Sequence, residues 1–523
     1  MVGTYPVMAE VTGDTATGAG RHHAALRSLA RESLLSLIGS VTAGALSLLL
    51  PIVVTRQLAT HDAGVFFEAT ALFMVLLNLG TLGADTGVLR SLPQAQALGE
   101  SNTIGVYLRT AIRWPVVCAV VVGLALALSA PQIGALLVGD TGSADDAMTT
   151  CLYIVAGMLP VTVAYTVGVS ATRGLGSIRV LVLVDKIGKG FLQLLLVLGA
   201  VVVIDTAAGA VAGWTLAYLI GLLVVAHWIV RYRRRRGDSA RQPTSRADRS
   251  ALVRSFWAFS APRAVSRVCN VAMQRADVLL VGALLGAADA ALYAAATRFL
   301  VIGTMFVQSI QQVMAPKISE AVALDDNDRA RAIYQTTTTW LTLISWPIYL
   351  LSASFASLLL GVFGPSYTSG WPTVVILCLT MLVATSCGPV DSVLLMAGRS
   401  MQSLGNAVLA LLVMVVIDLV LIPELGITGA AIGWSVGILV KNLMALWQVN
   451  VGLRMHPFGQ SLLIAAAGAL TCFGVIPAIA NALLDNEVMK LGVSICVGTA
   501  VYAVGVAVFR LTFRLDGLSI RRS

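Results

Sequence analysis

Charge is scarce in this sequence: only 12% of its 523 residues are Asp, Glu, Lys or Arg. A soluble chain carries about twice that fraction, so a set of three or four water-soluble domains is excluded despite the length. Histidine is also rare, with five residues and no ligand-type spacing. The seven cysteines, at 118, 151, 269, 378, 387, 472 and 496, include no CxxC pair and all fall in or beside apolar runs. Small buried hydrophobes explain them better than disulfides or a metal site. No GxxxxGK[ST] stretch is present, so the chain cannot by itself be assigned ATP-driven transport. No cofactor is expected.

What is abundant is Leu, Val, Ala and Gly in repeated runs of roughly 20 residues, the length a helix needs to cross hydrocarbon. Hydrophobic residues make up 57% of the chain and the mean hydropathy is +0.86. Fourteen windows emerge: 33–55, 65–84, 110–130, 151–170, 180–203, 208–230, 256–285, 291–313, 336–360, 371–395, 402–421, 426–449, 459–480 and 488–509. The apolar run after Arg31 is too long for a signal peptide and reads as a first membrane helix.

Basic residues sort with this count. With the N terminus in the cytoplasm, 31 of the 35 Lys and Arg residues fall on or near the cytoplasmic side. Arg56 and Lys490 fall outside, and Arg275 and Arg298 lie within spans. The positive-inside rule then places both termini in the cytoplasm. The stretch HWIVRYRRRRGDSARQPTSRADRS, at 227–250, has eight arginines against two aspartates. Between two hydrophobic halves it is a cytoplasmic linker and topological anchor. Its functional alternative is attraction to anionic lipid headgroups; nucleic acid is not an expected partner.

The halves resemble each other. GVSATRGLGSIRVLV answers DSVLLMAGRSMQSLGNAV, and GAVAGWTLA at 209–217 answers GAAIGWSVG at 429–437, with Gly213-Trp214 opposite Gly433-Trp434. TRQLATHDAGVFFEATALF matches VGALLGAADAALYAAATRF at a similar offset. The expected architecture is an all-α polytopic membrane protein with fourteen transmembrane helices. Two pseudo-symmetric six-helix bundles are followed by two C-terminal helices. Parallel repeats of this kind share an axis along the membrane normal and can enclose a cavity between them. The boundaries are a cytoplasmic tail at 1–32, bundles at 33–230 and 256–450, and the Arg-rich linker at 231–255. Helices 13 and 14 fall at 451–509 and a cytoplasmic tail at 510–523. The last two helices are free to pack on a bundle, dimerise or form a lipid-facing groove.

Several segments resemble polysaccharide flippases of the O-antigen and capsule type, within the multidrug/oligosaccharidyl-lipid/polysaccharide (MOP) exporter superfamily. They are PIVVTRQLATHDAGVFFEATALF at 51–73, LGADTGVLRSLPQ at 82–94 and QRADVLLVGALLGAADAALYAAATR at 274–298. FGPSYTSGWPTVVIL at 363–377 and LIPELGITGAAIGWSVG at 421–437 complete the set. The resemblance covers roughly residues 30–450. It implies an alternating-access carrier in a bacterial cytoplasmic (inner) membrane, moving undecaprenyl-pyrophosphate-linked glycans. It also implies proteins of polysaccharide synthesis or polymerisation as partners.

Ionisable residues inside spans are functional candidates, because burying them unpaired is costly. Arg275 and Arg298 are candidate ligands for the diphosphate headgroup, since guanidinium groups grip phosphate oxygens in charge-assisted pairs. The competing reading pairs each with an acid, Arg298 with Glu68, as a packing device. Glu68 and Arg90 complete the candidate substrate-binding set. Asp277, an acidic position that resembles one in span seven of such flippases, joins Asp85 and Asp391 as candidates for ion coupling or gating. Asp85 and Arg90 fit an inner gate or plain helix-end anchors. Arg56 fits a structural role at the outer end of span one, and Asp185 with Lys186 reads as a local charge pair. Prolines 51, 160, 347 and 389 mark bends, and Trp340 and Trp346 suit an interface or sugar contact.

Three rival functions remain. A multidrug exporter of the same superfamily usually carries an acid in its first helix, which 33–55 lacks. A peptidoglycan-precursor flippase usually brings an arginine into the middle of that helix, where this chain has only Arg56 at the end. A membrane glycosyltransferase or polymerase needs an acidic or histidine constellation beside a substantial external loop, and the external loops here are short.

Overall fold

The computed structural model describes residues 39–40, 42–98, 101–138, 143–235, 246–324, 326–509 and 512–513, and all regular structure among them is helical. The first half runs α1 (Thr42–Gln57), α2 (Thr60–Thr81), α3 (Ala84–Ala97), α4 (Ser101–Leu128) and α5 (Ala130–Val138). It continues with α6 (Ser143–Gly174), α7 (Ile178–Val180), α8 (Gly190–Ile204) and α9 (Ala207–Arg235). A π-helical stretch, Leu181–Lys189, joins α7 to α8 without a break. The second half runs α10 (Arg246–Leu285), α11 (Ala287–Ala296), α12 (Arg298–Ala323), α13 (Asn327–Ser354) and α14 (Ala356–Leu360). After a 3-10 turn at Pro365–Gly370 follow α15 (Trp371–Ser386), α16 (Val390–Met396), α17 (Ser400–Leu425) and α18 (Ile427–Leu453). The last helices are α19 (Gln460–Leu470), α20 (Ile476–Leu483) and α21 (Glu487–Val508), with a π turn at Thr471–Val475 between the first two.

Twelve of the described helical segments are long and apolar enough to cross a membrane, so the protein is a multi-pass membrane protein. Each of the other two sequence windows also holds a helix. The first holds the shorter apolar α1, and the ninth holds α13, whose Thr336–Thr339 run lowers its hydropathy. Those threonines do not break the helix, because each hydroxyl donates to the carbonyl four residues earlier.

Helix extends into both ends of the 231–255 stretch. Helix α9 continues to Arg235 and α10 begins at Arg246, because Arg side chains are good helix formers and project into water once past the apolar run. Residues 236–245 and the 1–32 tail lie outside the described residues, as does 510–523 except for residues 512 and 513.

Breaks inside spans have local causes. Between α15 and α16, Gly388 takes φ +67° and Pro389 follows. Proline cannot donate to the helix ladder, and the Tyr334 hydroxyl donates to the Cys387 carbonyl at 2.6 Å. Helix α2 ends at Leu82 and Gly83, both left-handed (φ +49° and +70°), which turns the chain into α3.

The two halves meet where α2 packs on α10 and α11. These elements contain the matching segments 55–73 and 281–299, so repeated sequence faces repeated sequence at the centre. The approach is close: a Cβ on Gly64 would lie 1.7 Å from the Ala287 carbonyl oxygen. The second repeat match also has structural content. Gly213 lies against the Leu196 backbone at the α8–α9 contact, and Gly433 lies against Asp418 at the α17–α18 contact. The last two spans pack on α13, where Trp340 donates to the Phe513 carbonyl and Tyr502 to the Leu343 carbonyl, each at 3.0 Å.

Candidate functional site

Two cavities share a wall formed by Arg275 and Arg298, one lined mainly by the first half and the other by the second. The first, about 320 Å³, is lined by α1, α2, the π-helical stretch, α9, and the side chains of Arg275 and Arg298. The second, about 250 Å³, is lined by α10, α12, α15 and α18, again with Arg275 and Arg298. The matched tryptophans divide between them, Trp214 in the first and Trp434 in the second.

Arg298 reaches this position through a kink. Helix α11 ends at Ala296, and Arg298 opens α12. Its guanidinium carbon sits 5.4 Å from the centre of the Phe67 ring, and its Nε is buried with no hydrogen-bond partner among the described residues. The expected Glu68–Arg298 pair is not formed. Glu68 is fully buried, but it faces Gly282 of α10, where an added Cβ would come within 2.3 Å of its carboxyl carbon. It is a packing element of the α2–α10 contact and lines neither cavity.

The remaining cavity charges come from positions that topology had assigned to the cytoplasmic side. In the π-helical stretch, Lys189 pairs with Asp185 at 2.7 Å, and Tyr165 donates to the same carboxylate oxygen at 2.9 Å. Asp185 therefore pairs with Lys189, not with Lys186. The Lys186 ammonium donates to Ser40 Oγ at 2.7 Å. All three line the first cavity, because the wider π turn changes which residues share a face. Lys441, twelve residues inside α18 from its Leu453 end, donates to Asn270 Oδ1 at 2.7 Å and lines the second cavity.

Asp277 lines the second cavity with only 2% of its surface exposed. Tyr293 donates to its Oδ2 at 2.6 Å, and Oδ1 has no partner among the described residues. Asp418 lies within electrostatic reach of Asp277, fully buried, with neither oxygen hydrogen-bonded among the described residues. The space for it comes from Gly433, where a Cβ would fall 1.9 Å from Asp418 Oδ1.

Asp85 and Arg90 lie at the end that the charge distribution assigns to the cytoplasm. Asp85 Oδ2 meets Arg267 Nη1 of α10 at 2.7 Å, and Arg267 Nε donates to Asn78 Oδ1 at 2.8 Å. Arg90 and Arg263 sandwich the Phe259 ring at 4.2 and 3.8 Å. Glycine makes this contact tight, since a Cβ on Gly83 would meet the Ser260 carbonyl oxygen at 2.4 Å. Arg90 belongs to this contact and lines neither cavity. At the opposite end, Arg56 donates to the carbonyls of Val362 and Gly361, each at 2.8 Å. Asp391 accepts a short hydrogen bond from Ser403 at the turn between α16 and α17, a local tie away from both cavities. Trp346 donates to the Leu382 carbonyl and to Thr385, which fixes it in the fold.

No group of three or more His, Cys, Asp or Glu side chains suited to a metal ion occurs among the described residues.

Comparison with known proteins bears on family and fold. The sequence model of a family described as "Polysaccharide biosynthesis protein" matches residues 53–376. The probable low-salt glycan biosynthesis flippase Agl15 of Haloferax volcanii is 22% identical over 482 residues, covering 91% of this chain and 94% of that protein. Among solved structures, the lipid II flippase MurJ in an inward closed conformation superposes with a TM-score of 0.72. Its identity is 13%, over 91% of this chain and 99% of that one. An inward-facing multidrug resistance MATE family transporter of the MOP superfamily gives 0.60 at 15% identity, over 81% and 94%. The fold is that of MOP-superfamily transporters, and the chain belongs to the polysaccharide biosynthesis protein family.

Proposed function

We propose that the protein is a flippase for polyprenyl-diphosphate-linked oligosaccharide, working in the cytoplasmic membrane with both termini inside and supplying cell-surface polysaccharide synthesis. The single observation that carries this reading is the pair Arg275 and Arg298. Both project into both cavities and neither makes an ion pair among the described residues. Guanidinium groups inside apolar spans without an ion-pair partner are unfavourable unless a ligand supplies the counter-charge. Diphosphate does so with paired, charge-assisted hydrogen bonds. Family membership and the Agl15 relative support a glycan on that diphosphate. The test is transfer of such a lipid between leaflets by the purified protein.

Fourteen spans, arranged as two six-helix bundles and a terminal pair on α13, give a carrier whose bundles rock about the bound headgroup. The Asp85–Arg267 latch closes the cytoplasmic side. The Arg56 bonds to the Gly361 and Val362 carbonyls close the outer side. Lipid-linked sugar enters when the first opens and leaves when the second does. No covalent bond changes, so the residues bind, neutralise and gate.

Ion coupling falls to Asp277 and Asp418, with Asp418 taking the place that Asp85 and Asp391 do not fill. A proton or alkali cation between two buried carboxylates offsets their repulsion. Asp418→Asn is expected to keep binding of the lipid-linked glycan but abolish the stimulation of transfer by a proton or sodium gradient. Undiminished stimulation in that variant would remove Asp418 from the coupling site. The multidrug reading loses ground because the first cavity gathers Lys186, Lys189 and both arginines, which repel cationic drugs.

A further inference from the structure

The charges in the two cavities do not balance against a diphosphate alone. Five cations line them: Lys186, Lys189, Arg275, Arg298 and Lys441. Two carboxylates do so, Asp185 and Asp277. Inside membrane spans such an excess is costly until a ligand offsets it. The diphosphate offsets the two shared arginines and leaves one positive charge over.

That remaining charge can be located. The second cavity holds Lys441 and Asp277, one charge of each sign. The first holds Lys186 and Lys189 against Asp185 alone, and Asp185 is taken by Lys189 at 2.7 Å. Lys186 is left with a neutral partner, the Ser40 hydroxyl, and no carboxylate within ion-pair distance among the described residues. A hydroxyl orients an ammonium but does not neutralise it. The same cavity presents Trp214, Tyr218 and Gln193. Both rings are largely buried, at 6% and 3% exposed, and packed edge-to-face on each other, so they form a fixed part of its wall.

Building on the flippase reading, we infer that the glycan is acidic, with a uronate-type carboxylate on a sugar near the diphosphate that ion-pairs with Lys186. The sugar lies in the first cavity beside Lys186 while Arg275 and Arg298 hold the diphosphate. The second cavity, already balanced, sets no charge requirement.

The test uses two short-chain polyprenyl-diphosphate oligosaccharides that differ only in a sugar carboxylate, free in one and methyl-esterified in the other. Binding to the full-length protein in detergent is followed by tryptophan fluorescence, and transfer is followed in proteoliposomes. Wild type should favour the free acid by roughly tenfold, about 1.4 kcal/mol. Lys186→Gln, which keeps a donor for Ser40, should lose that preference while still binding the ester. Lys441→Gln should retain it. Equal handling of acid and ester by wild type, or a preference that survives in Lys186→Gln, would overturn the acidic-sugar assignment and leave the flippase reading standing. Failure to bind either lipid would instead sink the flippase reading, and this inference with it.

Discussion

Arg298→Gln is expected to weaken binding of a polyprenyl-diphosphate glycan by about two orders of magnitude and to reduce transfer in proportion. A hydrogen bond to a charged group contributes roughly 1.5–3 kcal/mol, and a guanidinium offers two to a phosphate. The fold should tolerate the change. Arg298 makes no ion pair among the described residues, and its Nε has no partner there; its recorded contact is the Phe67 face, worth about 0.5–2 kcal/mol. Arg298→Lys should fall between, since it keeps the charge and loses the fork. Arg275→Gln should behave like Arg298→Gln, and the double variant should cost less than the sum because both act on one ligand. Titration calorimetry with the short-chain lipid reads these values. Unfolding of Arg298→Gln in detergent, or a folded variant with unchanged affinity, would return Arg298 to a packing role.

Locking the cytoplasmic latch should stop transport altogether. Asp85 is nearly buried, with 6% of its side chain exposed, while Arg267 is 47% exposed, so the pair sits at the rim of the contact between halves. With both replaced by cysteine in a background free of the native cysteines, a short bifunctional thiol reagent should join α3 to α10. Transfer should fall to the protein-free level and return when the linker is cleaved by reductant. Either single cysteine, treated in the same way, should remain active. Full transfer by the cross-linked protein would show that α3 and α10 need not separate and would remove the latch from the cycle.

How far the sequence carried is clearest residue by residue. The spans were legible because hydrocarbon thickness sets a length and the apolar runs meet it. The repeat was legible at Gly213-Trp214 and Gly433-Trp434 because one contact recurs in both halves: a glycine where two helices touch, followed by a tryptophan in the cavity. Arg275 and Arg298 stood out as cations inside apolar runs.

Lys186, Lys189 and Lys441 were assigned to the cytoplasmic side because distance along the chain was read as depth. The π-helical stretch at Leu181–Lys189 and the length of α18 also bring them onto cavity walls. The i,i+4 spacing of Asp185 and Lys189 was the available signal. The facing of Glu68 was illegible for the converse reason: an acid in an apolar run shows its depth but not its facing. Only the approach of Gly282 shows that it points at α10. The partnership of Asp85 with Arg267 joins residues 182 positions apart, which no local pattern encodes.

The central claim is most directly tested by reconstituting the purified protein in liposomes and following a fluorescent polyprenyl-diphosphate oligosaccharide from one leaflet to the other. Wild-type protein should move it, and folded Arg298→Gln and Arg275→Gln should do so about a hundredfold less well. No movement of any such lipid by wild type, together with gradient-driven transport of a small cationic drug, would contradict the flippase account and favour a multidrug exporter.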